Sequence, residues 1–210
     1  MDTINMVYVD DKLDLYVSEY LTLLSSDEYL SSLSSDEYEY KKEEIEFSKE
    51  DSYESMLSYE EIRTADILFL DSMLFENNGV NGNKLSGEEL GFIIKKIFPY
   101  KEIIVITQHQ NNSEFSLLKK YNSNTFGLSP SEFFKQYWED TILQASHNIV
   151  RNRKILEKLS SKHYVEKVLL EKLEATMSGQ VNYENLTKTD IDKLIESFEE
   201  MRKVYDEDRL

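Results

Sequence analysis

The sequence predicts an α/β fold, a five-stranded parallel sheet with helices on both faces, followed by an α-helical carboxyl-terminal extension. Three observations carry this. Runs of β-forming or continuously apolar residues recur at Ile4–Val9, Ile67–Leu70 and Ile103–Thr107, as strands covered on both faces require. Stretches with helical spacing separate them, and such alternation implies parallel crossover connections. Acidic or hydroxyl residues close each run, at the strand ends where the functional crevice of a parallel sheet lies.

Taken in order, INMVYV ends at Asp10-Asp11, and a helix is expected from about Leu13 to Leu24. Residues 25–44 hold the near-repeat SSDEYLSSLSSDEYEY, too short a period for a solenoid, and are expected to form an exposed acidic insertion. A weak second strand is expected at Glu43–Phe47 and a helix at Tyr53–Arg63. The third strand, ILFL, ends at Asp71. A polar loop over Glu76–Ser86 feeds a helix at Gly87–Ile97. The fourth strand, IIVIT, ends at Thr107. A helix is then expected at Ser113–Tyr121, a short fifth strand at Thr125–Leu128, and a long helix after Ser129-Pro130, capped by Ser131.

Composition narrows the function. The chain has 210 residues, 40% hydrophobic and 12% aromatic, enough for one substantial core and an appendage. It has no cysteine, so disulfides, thiolate nucleophiles and cysteine-based zinc sites are excluded. With no basic leader and no membrane-length apolar run, a cytoplasmic protein without a membrane association is expected. The net charge is −17, and residues 1–150 carry 28 Asp/Glu against 12 Lys/Arg. Such a surface repels phosphate backbones and makes nucleic acid an unfavoured partner. Residues 151–172 are the exception, with Arg151, Arg153, Lys154, Lys158, Lys162, Lys167 and Lys172. They read as a solvated helix face or as a contact for phosphate or an acidic partner.

Three carboxylates gathered at one sheet end repel one another, and a hard divalent cation such as Mg²⁺ would stabilise them. An Asp beside that ion could accept a phosphoryl group. Over about residues 3–145, the strand order and these acids resemble the receiver domain of response regulators. The resemblance implies a flavodoxin-like receiver sheet, Mg²⁺ bound by Asp10, Asp11, Asp71 and the main chain of Met73, and a phosphoacceptor at Asp71. It also implies switch positions at Thr107 and at an aromatic in the fifth strand, here Phe126. The family's Lys-Pro position falls on Ser129-Pro130, because the spacing from Thr107 agrees. A serine hydroxyl cannot replace an ammonium at phosphoryl oxygens, so phosphorylation is expected to be impaired or uncoupled.

Other motifs lead nowhere. Gly79, Gly82, Asn83, Lys84 and Gly87 fail the spacing of a phosphate-binding loop, and His109, His147 and His163 share no ligand-like spacing.

Residues 146–210 are expected to form a helical extension, a hairpin in which Thr187–Asp190 starts the second helix. Over 134–163, Trp138, Ala145, Asn152 and Leu159 interleave with Ile142, Ile149, Leu156 and His163 as coiled-coil seams do. Either this helix packs on the chain's own sheet, or it mediates a homodimer or partner docking. The leading expectation is a non-enzymatic, atypical receiver protein that signals through a protein partner, with a histidine kinase as the implied phosphodonor. A Mg²⁺-dependent phosphoryl-transfer enzyme with Asp71 as nucleophile and a DNA-binding transcriptional regulator are the alternatives.

Overall fold

In the computed structural model, the described residues are 2–26, 38–48, 50–74, 86–108, 115–122, 127–161 and 167–180. They contain strands β1 (Asp2–Asp10), β2 (Tyr38–Glu46), β3 (Ile67–Asp71), β4 (Glu102–Thr107) and β5 (Ser116–Lys119). The helices are α1 (Leu15–Leu24), α2 (Tyr53–Ser58), α3 (Glu60–Thr64), α4 (Gly87–Ile97), α5 (Pro130–Tyr137), α6 (Glu139–Ser160) and α7 (Lys167–Met177). The strands form one sheet in the order β2-β1-β3-β4-β5, and every pairing is parallel. This is the flavodoxin-like order, with its topological switch point between β1 and β3.

Side-chain alternation along the central strands separates two cores. Ile4, Met6, Tyr8, Ile67, Phe69, Ile104 and Ile106 meet α1, α5 and α6 on one face. Val7, Val9, Leu68, Leu70, Ile103 and Val105 meet α2, α3 and α4 on the other. Each such fully buried apolar side chain contributes about 1.5–3 kcal/mol of burial free energy. Both faces of the sheet are therefore fixed by apolar packing before any polar group is considered.

Local chemistry sets the helix ends. Asp14 caps α1 by accepting from the Tyr16 and Val17 N–H groups, and Ser86 with Glu89 forms a reciprocal capping box at α4. Gly87 is required there, since a Cβ would lie 2.1 Å from the Asp71 carbonyl oxygen. The first turn of α4 can approach the end of β3 so closely only without a side chain.

Four expectations need correction. The second strand begins at Tyr38 rather than Glu43, because Tyr38 and Tyr40 point into the core beside β1. The tail of the expected acidic insertion is thus edge strand, and residues 27–37 lie outside the described residues, as do 76–85 of the polar loop. The helix expected at Tyr53–Arg63 is two short helices with Tyr59, in extended conformation, between them.

The fifth strand is Ser116–Lys119, not Thr125–Leu128, and it replaces the helix expected at Ser113–Tyr121. Phe115, Leu118 and Tyr121 mimic helical spacing, yet Leu118 is the residue of this edge strand that is buried in the core. Finally, Ser129 rather than Ser131 caps the following helix, through a capping box with Glu132 and with Pro130 in the first turn.

Helix α6 runs through residue 145 without interruption. Trp138, Ile142, Ala145 and Ile149, half of the interleaved apolar pattern, are buried against the chain's own sheet. These side chains are therefore unavailable to a coiled-coil seam between copies. Trp138 stacks on Phe69 and donates its indole N–H to the Lys119 carbonyl at 2.9 Å, tying the last helices to the end of β5.

Beyond α6, helix α7 packs back on it and ends at Met177; Gly179, two residues on, has φ 71° and lies against Arg63. Arg63 Nε donates to the Gly179 carbonyl at 3.2 Å. The helix start expected at Thr187–Asp190 is outside the described residues. No helix among the described residues is long and apolar enough to cross a membrane.

Trp138→Ala should lower unfolding free energy by about 3–5 kcal/mol, read from urea denaturation. A loss under about 1 kcal/mol would show that α6 does not depend on this anchor.

Candidate functional site

The parallel register builds the site. β1 and β3 pair with Val9 opposite Leu70, so the next residues, Asp10 and Asp71, stand level at the carboxyl ends of adjacent strands. β4 continues beside β3 and ends at buried Thr107. β5 pairs Lys119 with Thr107, and the next residue is Lys120. Its backbone N–H donates to the Thr107 carbonyl at 3.1 Å.

Lys120 closes the cluster. Its Nζ lies 3.2 Å from Asp10 Oδ2 and 3.0 Å from Asp71 Oδ1. Asp10 is buried to 1% exposure and Asp71 to 6%. Leaving either carboxylate there without a partner would be strongly destabilising.

The other oxygen of each carboxylate also accepts a hydrogen bond. Asp10 Oδ1 accepts the Lys12 N–H at 3.0 Å, and Asp71 Oδ2 accepts the Met73 N–H at 3.0 Å. Asp10 Oδ2 additionally accepts a hydrogen bond from the hydroxyl of Tyr8, which is fully buried beneath it.

Four groups here, Asp71, Asp11, Lys120 and Tyr8, carry the mark of this arrangement. Burial, then the neighbouring charge of Asp10, raises the Asp71 pKa above its ordinary value, with Lys120 opposing. Asp11, at the rim, is raised by burial and then by its hydrogen bond and charge contact with Asp10. Burial pulls Lys120 down, but the charges of Asp71 and Asp10 outweigh it, so its pKa is raised and it remains an ammonium. Burial, followed by the Asp10 charge, keeps the Tyr8 proton in place far above its ordinary range.

Of the residues expected at the site, Asp10, Asp11 and Asp71 lie together, and Thr107 ends the adjacent strand. Met73 follows β3 with an exposed side chain and its N–H on Asp71. Ser129 is not at the lysine position. It is an exposed helix cap whose hydroxyl and N–H meet Glu132, and Lys120 holds the place at the end of the fifth strand. Phe126 lies outside the described residues, and the fifth strand is Ser116–Lys119.

Sequence reasoning missed Lys120 and Tyr8. For Lys120 the available signal was a basic pair directly after the short run Ser116–Leu118. For Tyr8 it was the two-residue strand period, which puts Tyr8 on the face of Asp10.

The arrangement does not fit a ready-made Mg²⁺ site. Among the described residues, no group of three or more His, Cys, Asp or Glu side chains is set to hold a metal ion. The space between Asp10 and Asp71 is bridged by an ammonium, and the cation would have to compete for oxygens already engaged. What the cluster offers directly is a poised carboxylate, Asp71, with a fixed positive charge beside it.

No protein-family model matches the sequence. No curated protein matches it either. Similar solved structures are mostly response-regulator receiver domains. A two-component transcriptional regulator from Clostridium phytofermentans is 15% identical, with 72% of this chain and 98% of that chain covered and a TM-score of 0.41. A CheY-like receiver domain protein from Methanospirillum hungatei is 13% identical, with 70% and 97% covered and a TM-score of 0.39. A receiver domain protein from Clostridium thermocellum is 17% identical, with 72% and 98% covered and a TM-score of 0.38. The fold assignment itself rests on the strand order and register.

The raised pKa of Asp71 has a consequence for stability. Between the unfolded and folded values the folded state binds more protons, so stability falls as pH rises through that window. Asp71→Asn should therefore melt above wild type at pH 7. Its advantage should vanish as pH falls below the ordinary value of 3.8. An Asn variant no more stable than wild type at pH 7 would contradict this electrostatic picture.

Proposed function

We propose that the chain is an atypical receiver-type signalling protein in which Asp71 accepts a phosphoryl group and Lys120 receives that group's oxygens. The observation that carries this reading is the single ammonium shared by Asp10 and Asp71 at the end of the sheet. An isolated structural ion pair needs one acid and one base. Here the lysine that follows the fifth strand instead reaches two buried acids from the first and third.

In the proposed step, an Asp71 carboxylate oxygen attacks the phosphorus of a phosphodonor. The P–O or P–N bond to the leaving group breaks, its electron pair departs with that group, and an acyl phosphate remains. Lys120 moves its charge from the Asp71 oxygen to the phosphoryl oxygens, acting as a preplaced electrostatic stabiliser. Thr107, adjacent on β4, is the hydroxyl that would respond to the new anion. The phosphodonor in a signalling role would be a histidine kinase, and the output a protein partner.

This reading differs from an impaired receiver with serine in place of lysine. The ammonium is supplied, but from Lys120. A DNA-directed output is not favoured, because Arg153, one of the seven basic residues in 151–172, is committed internally. It pairs with Asp66 at 2.7 Å and donates to the Thr3 carbonyl at 2.8 Å.

Incubation with acetyl phosphate in a Mg²⁺ buffer, followed by intact mass measurement, tests the proposal. Wild type should gain one phosphoryl group, Asp71→Asn none, and Lys120→Ala should react about 10²–10³ times more slowly. A wild type that stays unmodified where an ordinary receiver reacts would remove the phosphoacceptor role.

A further inference from the structure

Tyr8 occupies a position that the sheet could fill with an apolar residue. It lies in the core cluster with Met6 and Ile67, fully buried, and burying a hydroxyl there is unfavourable unless it is hydrogen-bonded. Both capacities of the hydroxyl are used. It donates to Asp10 Oδ2 and accepts the Asp14 N–H at 3.2 Å. Because Asp14 caps α1, Tyr8 links the acid to the start of the first helix.

The oxygen Tyr8 selects is informative. Oδ2 is the atom that Lys120 also contacts, at 3.2 Å, whereas Oδ1 faces the Lys12 N–H. The phenol therefore does not support the carboxylate from behind. It takes an acceptor position on the oxygen that meets Lys120, and the ammonium, which also reaches Asp71, takes another. A divalent cation coordinates through carboxylate lone pairs, so at this oxygen it must displace Lys120 and still share the atom with the Tyr8 proton.

We propose that Tyr8 is a positioning residue that holds Asp10 Oδ2 toward Lys120, and so sets the site's preference for its internal ammonium over an external divalent cation. The inference deepens the receiver reading by assigning regulation of its acidic pocket. Its test nevertheless needs no phosphodonor.

Calorimetric titration with Mg²⁺ compares the full chain as wild type, Tyr8→Phe and Lys120→Met, with circular dichroism as the check on folding. Removing the phenol proton should tighten Mg²⁺ binding about tenfold, as expected for loss of a competing hydrogen bond to a charged group. Lys120→Met should tighten it as well. Equal or weaker affinity in Tyr8→Phe would overturn the proposal.

A measurement on wild type guards against a misfolded variant. The hydrogen-bonded Tyr8 hydroxyl proton, followed by NMR, should shift as Mg²⁺ is added, and an unchanged signal at saturating Mg²⁺ would also overturn it. If Tyr8→Phe gains affinity while acetyl phosphate leaves wild type unmodified, the phosphoacceptor reading fails and the role of Tyr8 stands.

Discussion

Two carboxylates buried side by side at the ends of adjacent parallel strands cannot both stay ionised without a compensating charge, and Lys120 provides it. The Coulombic attraction between Lys120 and each acid offsets part of the desolvation cost, which for buried ions amounts to several kcal/mol apiece. That requirement constrains much of the surrounding structure. β5 must lie beside β4 so that Lys120 follows Lys119 into the crevice. Trp138 helps hold it there, with its indole N–H on the Lys119 carbonyl and its ring on Phe69. Gly87 lets α4 start against the Asp71 carbonyl, bringing a helix onto the other side of the same strand end.

Stability and function pull apart at this cluster. The apolar layers on both faces of the sheet would be as well packed with neutral groups at positions 10 and 71. The acids raise the cost of folding, and burial pushes the Asp71 pKa up rather than down. Charges retained against their own desolvation cost mark functional sites more often than structural ones. The hydroxyl of Tyr8 extends the same pattern one layer into the core, where a phenylalanine would satisfy packing alone.

The sheet was readable in the sequence because its central strands are continuous apolar runs that end abruptly in polar residues. Asp10, Asp71 and Thr107 could be placed from those endings. The edge strands were harder, since an edge strand need bury only one face. Tyr38 and Tyr40 were hidden in an acidic tract. Ser116–Lys119 carries one buried core residue, Leu118, and no periodicity that separates it from a helix. That single error displaced the fifth strand by nine residues and put Ser129 where Lys120 belongs. The Ser-Pro pair, which resembles a strand-end signature, proved to be a helix start. The apolar spacing of α6 was likewise readable, but spacing cannot distinguish a helix packed on its own sheet from one packed on a second copy. Trp138, Ile142, Ala145 and Ile149 decide that by lying in the core.

Lys120 and Asp71 interact directly in the folded chain. A double-mutant cycle measures this most directly, with unfolding free energies from urea denaturation for wild type, Lys120→Met, Asp71→Asn and the double variant at neutral pH. The coupling should be about 1–3 kcal/mol, in the range found for charged residues in contact. Additivity within about 0.5 kcal/mol would mean that the ammonium is not on Asp71, and the site described above would not exist in solution.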